Sequence, residues 1–285
     1  MQKKIDVEEV FRKKNPNLYK FLPSAVFSYL RRIIHQEDIN RFLERTANQY
    51  DFDFVKAVIE EFKINTKAIG LQNIPTTGGC LIASNHPLGG LDAMAMLNEI
   101  GKVRQDVKIF ANDLLMNLEN LKNILSPINK IGKISSDVLH EIEKIYSLNI
   151  VVATFPAGLV SRKQFPNGIF CKPIIEDLTW KKSFITKSKK YRKNIIPVYI
   201  DGKVSDFFYN FSLLRKLLGI KSNIEMLYLA DEMYKQHNKT ITIIFGKEIP
   251  FETFDNHIRD SEWAEKVRIH VYKMAKEKNS LMFHV

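Results

Sequence analysis

The spacing of hydrophobic residues changes near residue 64 and separates two parts of the chain. Before that point the spacing is helical, with helices predicted at 23–34, 37–49 and 53–62. The apolar side of the first helix consists of Val26, Phe27, Leu30, Ile33 and Ile34. Such a side either packs on the core or lies in a membrane interface, and the sequence leaves both interpretations open.

From residue 64 onward, short apolar runs typical of strands alternate with helical stretches. The predicted strands are 66–71, 80–84, 107–111, 150–155, 195–200 and 240–245. The predicted helices are 91–100, 136–147, 204–217 and 261–276. This alternation predicts an α/β fold in which helices cover a sheet. We expect residues 64–285 to form one domain and residues 1–63 an N-terminal helical appendage.

Basic residues exceed acidic ones and are concentrated in two segments. The chain has 43 Lys and Arg against 32 Asp and Glu, a net charge of +11. Residues 1–35 hold 8 basic and 3 acidic residues, and residues 161–203 hold 11 and 3. This excess favours anionic partners. Within the run 181–193, lysines alternate with aromatic and aliphatic residues, so this run is either a solvated loop or a contact surface for an anionic membrane or an acidic acyl carrier protein.

Composition and motifs disfavour several classes of protein. No signal peptide is recognised, and no run approaches the ~18–20 apolar residues of a membrane span. The two cysteines form no CxxC pair, and six of the seven histidines lack both metal-ligand spacing and a motif, so we expect no metal. No known nucleic-acid-binding motif and no G-x-S-x-G elbow occur. The expected location is cytoplasmic, with peripheral association at the inner face of the cytoplasmic membrane.

One segment, Cys-Leu-Ile-Ala-Ser-Asn-His-Pro-Leu-Gly-Gly-Leu-Asp over residues 80–92, carries the main chemical signal. A buried strand runs into Asn85 and His86, a turn follows with Gly89 and Gly90, and Asp92 begins a helix. Ligands of α/β sheets bind beyond the carboxyl ends of strands, where this histidine is expected. An imidazole can remove a proton from a hydroxyl while a carboxylate fixes its tautomer.

A second segment repeats this strand-to-turn pattern. After the strand, Phe155, Pro156 and Gly158 form a turn. Three further residues follow it and are candidates for binding an anion: Ser161, Arg162 and Lys163.

Together the two segments resemble the glycerolipid acyltransferase superfamily, which includes the lysophosphatidic acid acyltransferases. That family has an Asn-His block followed by Asp, and a later Phe-Pro-Glu-Gly-Thr-Arg-Ser block that binds the acceptor phosphate. The matching positions here are Asn85, His86, Asp92, Phe155, Pro156, Gly158 and Ser161. The resemblance covers about residues 64–250. It implies a mixed, mostly parallel sheet of the glycerol-3-phosphate acyltransferase type.

Two departures from the family pattern change the expected site. Five residues separate His86 from Asp92, where the family usually has four, so the glycine pair has to absorb one residue or Asp92 only caps its helix. Ala157 replaces the usual Glu and Val160 the usual Arg. Either Arg162 takes over the grip on phosphate, or the acceptor lacks a phosphate.

The HPLGGLD and FPAGL segments also resemble a bacterial branch of O-acyltransferases that make ornithine- and glycine-type lipids. This resemblance implies an N-(3-hydroxyacyl) amino acid as acceptor, whose carboxylate stands where the phosphate would be. The expected function is acyl transfer from a thioester of acyl carrier protein or coenzyme A to a lipid hydroxyl, with no cofactor. Two alternatives remain: acylation of lysophosphatidic acid and a non-catalytic lipid-binding protein.

In the expected mechanism, His86 is the catalytic base and Asp92 orients it. Asn85 and residues of the two turns are expected to contact substrate, and Asn85 also to hold its loop by hydrogen bonds rather than take part in the chemistry. Backbone N–H groups at Gly158 or in the Gly89-Gly90 turn stabilise the oxyanion.

Overall fold

The fold is that of a computed structural model, which describes residues 5–14, 16–111, 118–127, 136–166, 168, 171–276 and 281–283. The helices in this part of the chain are α1 Val7–Lys14, α2 Pro16–Phe21, α3 Ser24–Ile33, α4 Gln36–Arg45, α5 Asp51–Glu61, α6 Gly90–Ile100, α7 Ser136–Ser147, α8 Ser183–Tyr191, α9 Asp206–Leu217, α10 Leu229–Tyr234 and α11 Asp260–Lys276. The strands are β1 Asn65–Ile69, β2 Cys80–Ser84, β3 Val107–Ala111, β4 Leu125–Pro127, β5 Val151–Thr154, β6 Arg162–Gln164, β7 Ile174–Glu176, β8 Ile195–Ile200 and β9 Thr240–Phe245.

Seven strands form one mixed sheet in the order β1-β9-β8-β2-β5-β3-β4. Every neighbouring pair is parallel except β8 and β9, which run antiparallel. The strands β6 and β7 form a separate antiparallel pair. The predicted α/β class, with a mixed and mostly parallel sheet, is therefore confirmed.

Helices cover both faces of the sheet, because side chains alternate between the faces along each strand. On β2, Ile82 belongs to one apolar cluster and Leu81 to another. The first cluster joins the sheet to α5, α6 and α9, and the second joins it to α8 and α11. Strands buried on both faces explain why their sequences read as continuous apolar runs.

Most predicted elements occur within one or two residues of their expected bounds, and β2, β3, β8, β9 and α7 match them fully. The first strand was expected to reach residue 71, but it ends at Ile69 because Gly70 has a φ of 76°. A Cβ at Gly70 would lie 2.2 Å from the carbonyl oxygen of Phe245, so only glycine fits there. The helices α1, α2, α8 and α10 and the strands β4, β6 and β7 were not predicted.

The predicted apolar side of α3 packs within the protein. Phe27, Leu30 and Ile33 are buried with Val7 of α1, against Tyr228 and its neighbours. This packing supports the core interpretation of that side over the membrane interpretation. The helices α4 and α5 contribute instead to the cluster that lines the sheet. No helix in the described ranges is both long and apolar enough to cross a bilayer.

Candidate active site

Asn85 fixes the chain where it leaves β2. Its side-chain N–H donates to the carbonyl of Ile200 at 2.9 Å, and its carbonyl accepts from the Ile200 N–H at 2.6 Å. Ile200 ends β8, the parallel neighbour of β2, so the amide joins the carboxyl ends of two adjacent strands. Asn85 is buried, and these bonds favour a structural role over the expected substrate contact.

Asp92 contacts both the imidazole of His86 and the start of α6. Its Oδ2 lies 2.9 Å from His86 Nδ1. The same carboxylate accepts the backbone N–H of Leu88 at 2.9 Å and that of Gly89 at 3.1 Å. The two roles that the sequence set against each other, holding the histidine and capping the helix, are therefore combined in one side chain.

The glycine turn absorbs the extra residue between His86 and Asp92. Gly89 has φ 77° and ψ −132°, a conformation open to glycine and strained for other residues. This bend returns the chain so that Asp92 lies next to His86, although five residues separate them where the family usually has four. Gly90 has an ordinary helical conformation as the first residue of α6.

The surroundings of the pair suit a general base. The Asp92 side chain is fully buried, and burial raises the pKa of its carboxyl, while the hydrogen bond from His86 acts in the opposite direction. With Nδ1 directed at Asp92, the second ring nitrogen, Nε2, is left to take a proton from an acceptor. The His86 side chain is 18% exposed and stacks on Phe155 with ring centroids 4.3 Å apart.

Hydrogen bonds join the second motif to the first. The backbone N–H of Ser161 donates to the carbonyl of His86 at 2.8 Å. Gly158 has a φ of 67°, which turns the chain after β5 and Phe155 toward the histidine. The two strand-end motifs therefore form one site, as their resemblance to a two-block family implies.

Asp177 is part of this site, and the sequence analysis missed it. Its carboxylate is 1% exposed and accepts three hydrogen bonds: from the His86 N–H at 3.1 Å, the Ser161 hydroxyl at 2.6 Å and the Trp180 indole at 2.9 Å. Burial raises the pKa of this carboxyl, against the effect of these donors. The only sequence signal was that Asp177 is one of three acidic residues in the basic segment 161–203.

Arg162 was expected to contact an anionic acceptor, and its geometry does not favour that role. The guanidinium side chain is 3% exposed and donates to the Val160 carbonyl at 2.6 Å and to Glu225 at 2.9 Å. These bonds direct it into the protein, because a buried cation needs a buried anion. Lys163 is 15% exposed and donates to Asn210 at 2.8 Å.

Two of the expected oxyanion donors are already engaged. The backbone N–H of Gly158 donates to the carbonyl of Phe155 at 2.9 Å, and that of Gly89 donates to Asp92. Neither group is directed at a reacting oxygen in this conformation. The expectation for Gly90 stays a prediction.

The basic run 181–193 contains α8, and several of its lysines are paired within the protein. Trp180 and Phe184 are buried in the core. Lys187 and Lys190 both bond Glu143, and together they lower the pKa of that carboxyl to about 2. Apolar residues of this run therefore serve packing, and the run forms a helix where one interpretation had a solvated loop. Its role as a contact surface stays a prediction.

The His, Cys, Asp and Glu side chains that the structure describes are not grouped as metal ligands. In the ranges that the structure describes, no group of three or more His, Cys, Asp or Glu side chains is arranged to hold a metal ion. Cys80 is buried in β2, and burial raises the pKa of its thiol to about 12, so it is not a nucleophile at neutral pH.

Known proteins match this chain over nearly its whole length. A family model described as acyltransferase matches residues 9–282. The chain belongs to this acyltransferase family. It is 44% identical to a lyso-glycine lipid O-acyltransferase of Bacteroides thetaiotaomicron, over 95% of this chain and 97% of the relative. It is 42% identical to a protein of the same name from Phocaeicola vulgatus, over 95% of each chain.

A solved structure also resembles the chain, the 1-acyl-sn-glycerophosphate acyltransferase of Thermotoga maritima. The TM-score is 0.47 at 15% identity, over 88% of this chain and 93% of the other. The family and the two relatives identify the chain as an O-acyltransferase of lipid biosynthesis, acting on a lipid. The non-catalytic alternative is set aside.

Proposed function

We propose that this O-acyltransferase moves a fatty acyl group from a thioester donor to the hydroxyl of a lyso-glycine lipid, an N-(3-hydroxyacyl)glycine. The observation that carries the catalytic part is the 2.9 Å contact between His86 Nδ1 and the buried Asp92. The acceptor class is supported by two relatives named lyso-glycine lipid O-acyltransferase at 44% and 42% identity.

The reaction needs one base and no net change in protons. His86 Nε2 takes the proton of the acceptor hydroxyl as its oxygen bonds the thioester carbonyl carbon. The positive charge of the resulting imidazolium is stabilised by the negative carboxylate of Asp92, which lies against Nδ1. When the C–S bond breaks, the imidazolium protonates the leaving thiolate, and His86 is neutral again.

The acceptor side of the site fits a lipid without a phosphate. The family's phosphate-binding Glu and Arg are replaced by Ala157 and Val160, and both are buried and apolar. Arg162, the nearest substitute, is paired with Glu225. A carboxylate needs fewer cationic hydrogen-bond donors than a phosphate does, so a glycine head group suits this site better than lysophosphatidic acid. The donor is a thioester of acyl carrier protein or coenzyme A, and the enzyme works at an anionic membrane surface at the inner face of the cytoplasmic membrane.

The proposal is tested by acyl transfer with purified protein and a labelled acyl thioester, with the carrier-protein and coenzyme A donors in separate reactions. An N-(3-hydroxyacyl)glycine and lysophosphatidic acid are offered in parallel, and His86→Ala is the control. Labelled product from the glycine lipid, absent with His86→Ala, is the expected result. Transfer to lysophosphatidic acid alone would overturn the proposed acceptor.

A further inference from the structure

A cluster of large aliphatic side chains is exposed where α9 ends. Leu214 is 50% exposed, Leu217 84%, Leu218 65% and Ile220 39%. They lie on the last turn of α9 and in the segment that follows it, where Gly219 has a φ of 69°. We call residues 214–221 the leucine tip. Contiguous exposed aliphatic side chains are uncommon on a protein surface unless the surface binds an apolar partner.

The charge on the leucine tip is positive. Lys216 and Lys221 are exposed and flank the aliphatic residues. The sequence has no acidic residue between Asp206 and Glu225, and Glu225 is fully buried. The surface of the tip therefore combines aliphatic side chains with cations that carry no acidic neighbour in sequence.

The tip has a defined structure, because Arg215 holds it from inside. The guanidinium of Arg215 donates to the Ile220 carbonyl at 2.6 Å and to Asn223 at 2.9 Å. It also lies 2.7 Å from Glu225, whose other carboxylate oxygen accepts from Arg162 at 2.9 Å. Arg162 follows Ser161, which bonds the backbone of His86. A short series of contacts thus connects the tip with the catalytic motifs.

Aromatic residues border the same surface. Phe207 is 48% exposed on α9 and packs against Tyr228 at 5.0 Å between ring centroids. Tyr29 of α3 is 40% exposed, and its hydroxyl lies 2.7 Å from that of Tyr228. Tyrosine rings, such as those of Tyr29 and Tyr228, have one apolar and one polar end and are typical of the boundary between lipid and water.

From these features we propose that the leucine tip binds the anionic lipid surface from which the acceptor is taken. The aliphatic side chains enter the acyl region, and Lys216 and Lys221 contact headgroup phosphates. A second copy of the chain is a poorer partner, because a segment of eight residues offers little of the ~1,200 Å² that a stable interface buries. This inference rests on the proposed function only for the origin of the acceptor, since vesicle binding is measured without turnover.

Vesicle co-sedimentation of the full chain tests the aliphatic residues. Phosphatidylcholine vesicles with a phosphatidylglycerol fraction are used, without donor or acceptor. Leu217→Ser/Leu218→Ser should lower the partition coefficient about tenfold or more, because two buried leucines are lost from the lipid. The matched control is Leu139→Ser/Ile269→Ser, which changes two aliphatic residues exposed on α7 and α11. It should bind like the unmodified protein. Equal losses in both variants would overturn the proposal.

The lysines are tested in the same assay. Lys216→Gln/Lys221→Gln should weaken binding about tenfold on the anionic vesicles and leave binding to pure phosphatidylcholine unchanged. Lys181→Gln/Lys182→Gln, in the basic run, is the matched control. A larger loss in this control than in the tip variant would contradict the assignment.

Insertion itself is read by fluorescence. The indoles of Trp180 and Trp263 are each 2% exposed. The variant Leu218→Trp therefore places an accessible indole on the leucine tip. Vesicles with brominated acyl chains should quench it. Protein that binds the vesicles without quenching would contradict insertion. So would a protein that binds no vesicles but self-associates, if Leu217→Ser/Leu218→Ser abolishes that self-association. His86→Ala should bind vesicles normally, so a failed transfer assay does not decide this inference.

Discussion

The backbone N–H of His86 donates a hydrogen bond to Asp177 Oδ1, 3.1 Å away, although the two residues are 91 positions apart in the chain. The same carboxylate accepts the hydroxyl of Ser161, and Ser161 N–H donates to the His86 carbonyl. Asp177 therefore holds the backbone of the loop that carries His86, while Asp92 holds the imidazole. Two buried carboxylates have different tasks at one histidine.

Replacing Asp177 should misplace the imidazole. In Asp177→Ala three buried donors lose their acceptor, so we expect a stability loss of about 1–3 kcal/mol. Because small displacements of a catalytic group are costly, kcat should fall about 10- to 100-fold at a temperature where the variant is folded. The control is Trp180→Phe, which removes one donor and leaves the bond to His86. An unchanged kcat in folded Asp177→Ala would refute the positioning role.

Asp92→Asn tests the second carboxylate through both kinetics and pH. Asparagine cannot stabilise an imidazolium, so turnover should fall by about 10³–10⁴-fold. Burial raises the pKa of Asp92 above its unfolded value, and such a carboxyl contributes stability at low pH that is lost as pH rises through the folded pKa. The variant should therefore gain stability relative to the unmodified protein as pH rises. Denaturant unfolding at about pH 4 and about pH 7 measures this; a relative loss of stability with rising pH would contradict it.

The two adjacent glycines should respond differently to alanine. Gly89→Ala forces a positive φ on a residue with a side chain and should cost about 1–3 kcal/mol of stability. Gly90→Ala introduces a Cβ with nothing within 4 Å, at a helical position where alanine is favoured. Its free energy of unfolding should equal or exceed that of the unmodified protein. Equal stability of the two variants would show that the strained bend is not required.

Glu143 joins α7 to α8 through Lys187, Lys190 and Tyr191. Its folded pKa is lowered to about 2, so its contribution to stability is present above the unfolded value and is lost as pH falls through about 2. The carboxylate is 34% exposed, and screening by water limits the effect of Glu143→Gln to less than about 1 kcal/mol at neutral pH. The difference should shrink in acid, and a difference that grows there would contradict this account.

The sequence predicted the sheet and the proximity of His86 to Asp92 because both follow local rules. Strands such as Cys80–Ser84 are buried on both faces and read as continuous apolar runs. His86 and Asp92 lie on one strand-turn-helix unit, so their approach depends only on the turn between them. The short strands β6 and β7 and the lysine-rich α8 have weak patterns, since their apolar residues are few or separated by charges.

Contacts between residues far apart in the chain could not be predicted from the sequence. No pattern in one sequence indicates that Asp177 contacts His86. Nor does any pattern indicate that Glu225 pairs with Arg162 and so keeps that guanidinium away from solvent. The lysine run suggested a contact surface by its charge, yet Glu143 neutralises part of it in the fold. Burial and pairing decide these roles, and both depend on tertiary structure.

The most direct test of the central claim is the turnover of His86→Ala with the N-(3-hydroxyacyl)glycine acceptor. Its folding is verified by circular dichroism and by vesicle binding equal to that of the unmodified protein. Acyl transfer should fall by at least about 10³-fold, because the variant lacks the imidazole that takes the hydroxyl proton. A folded variant that transfers acyl groups at a rate near that of the unmodified enzyme would show that His86 is not the base.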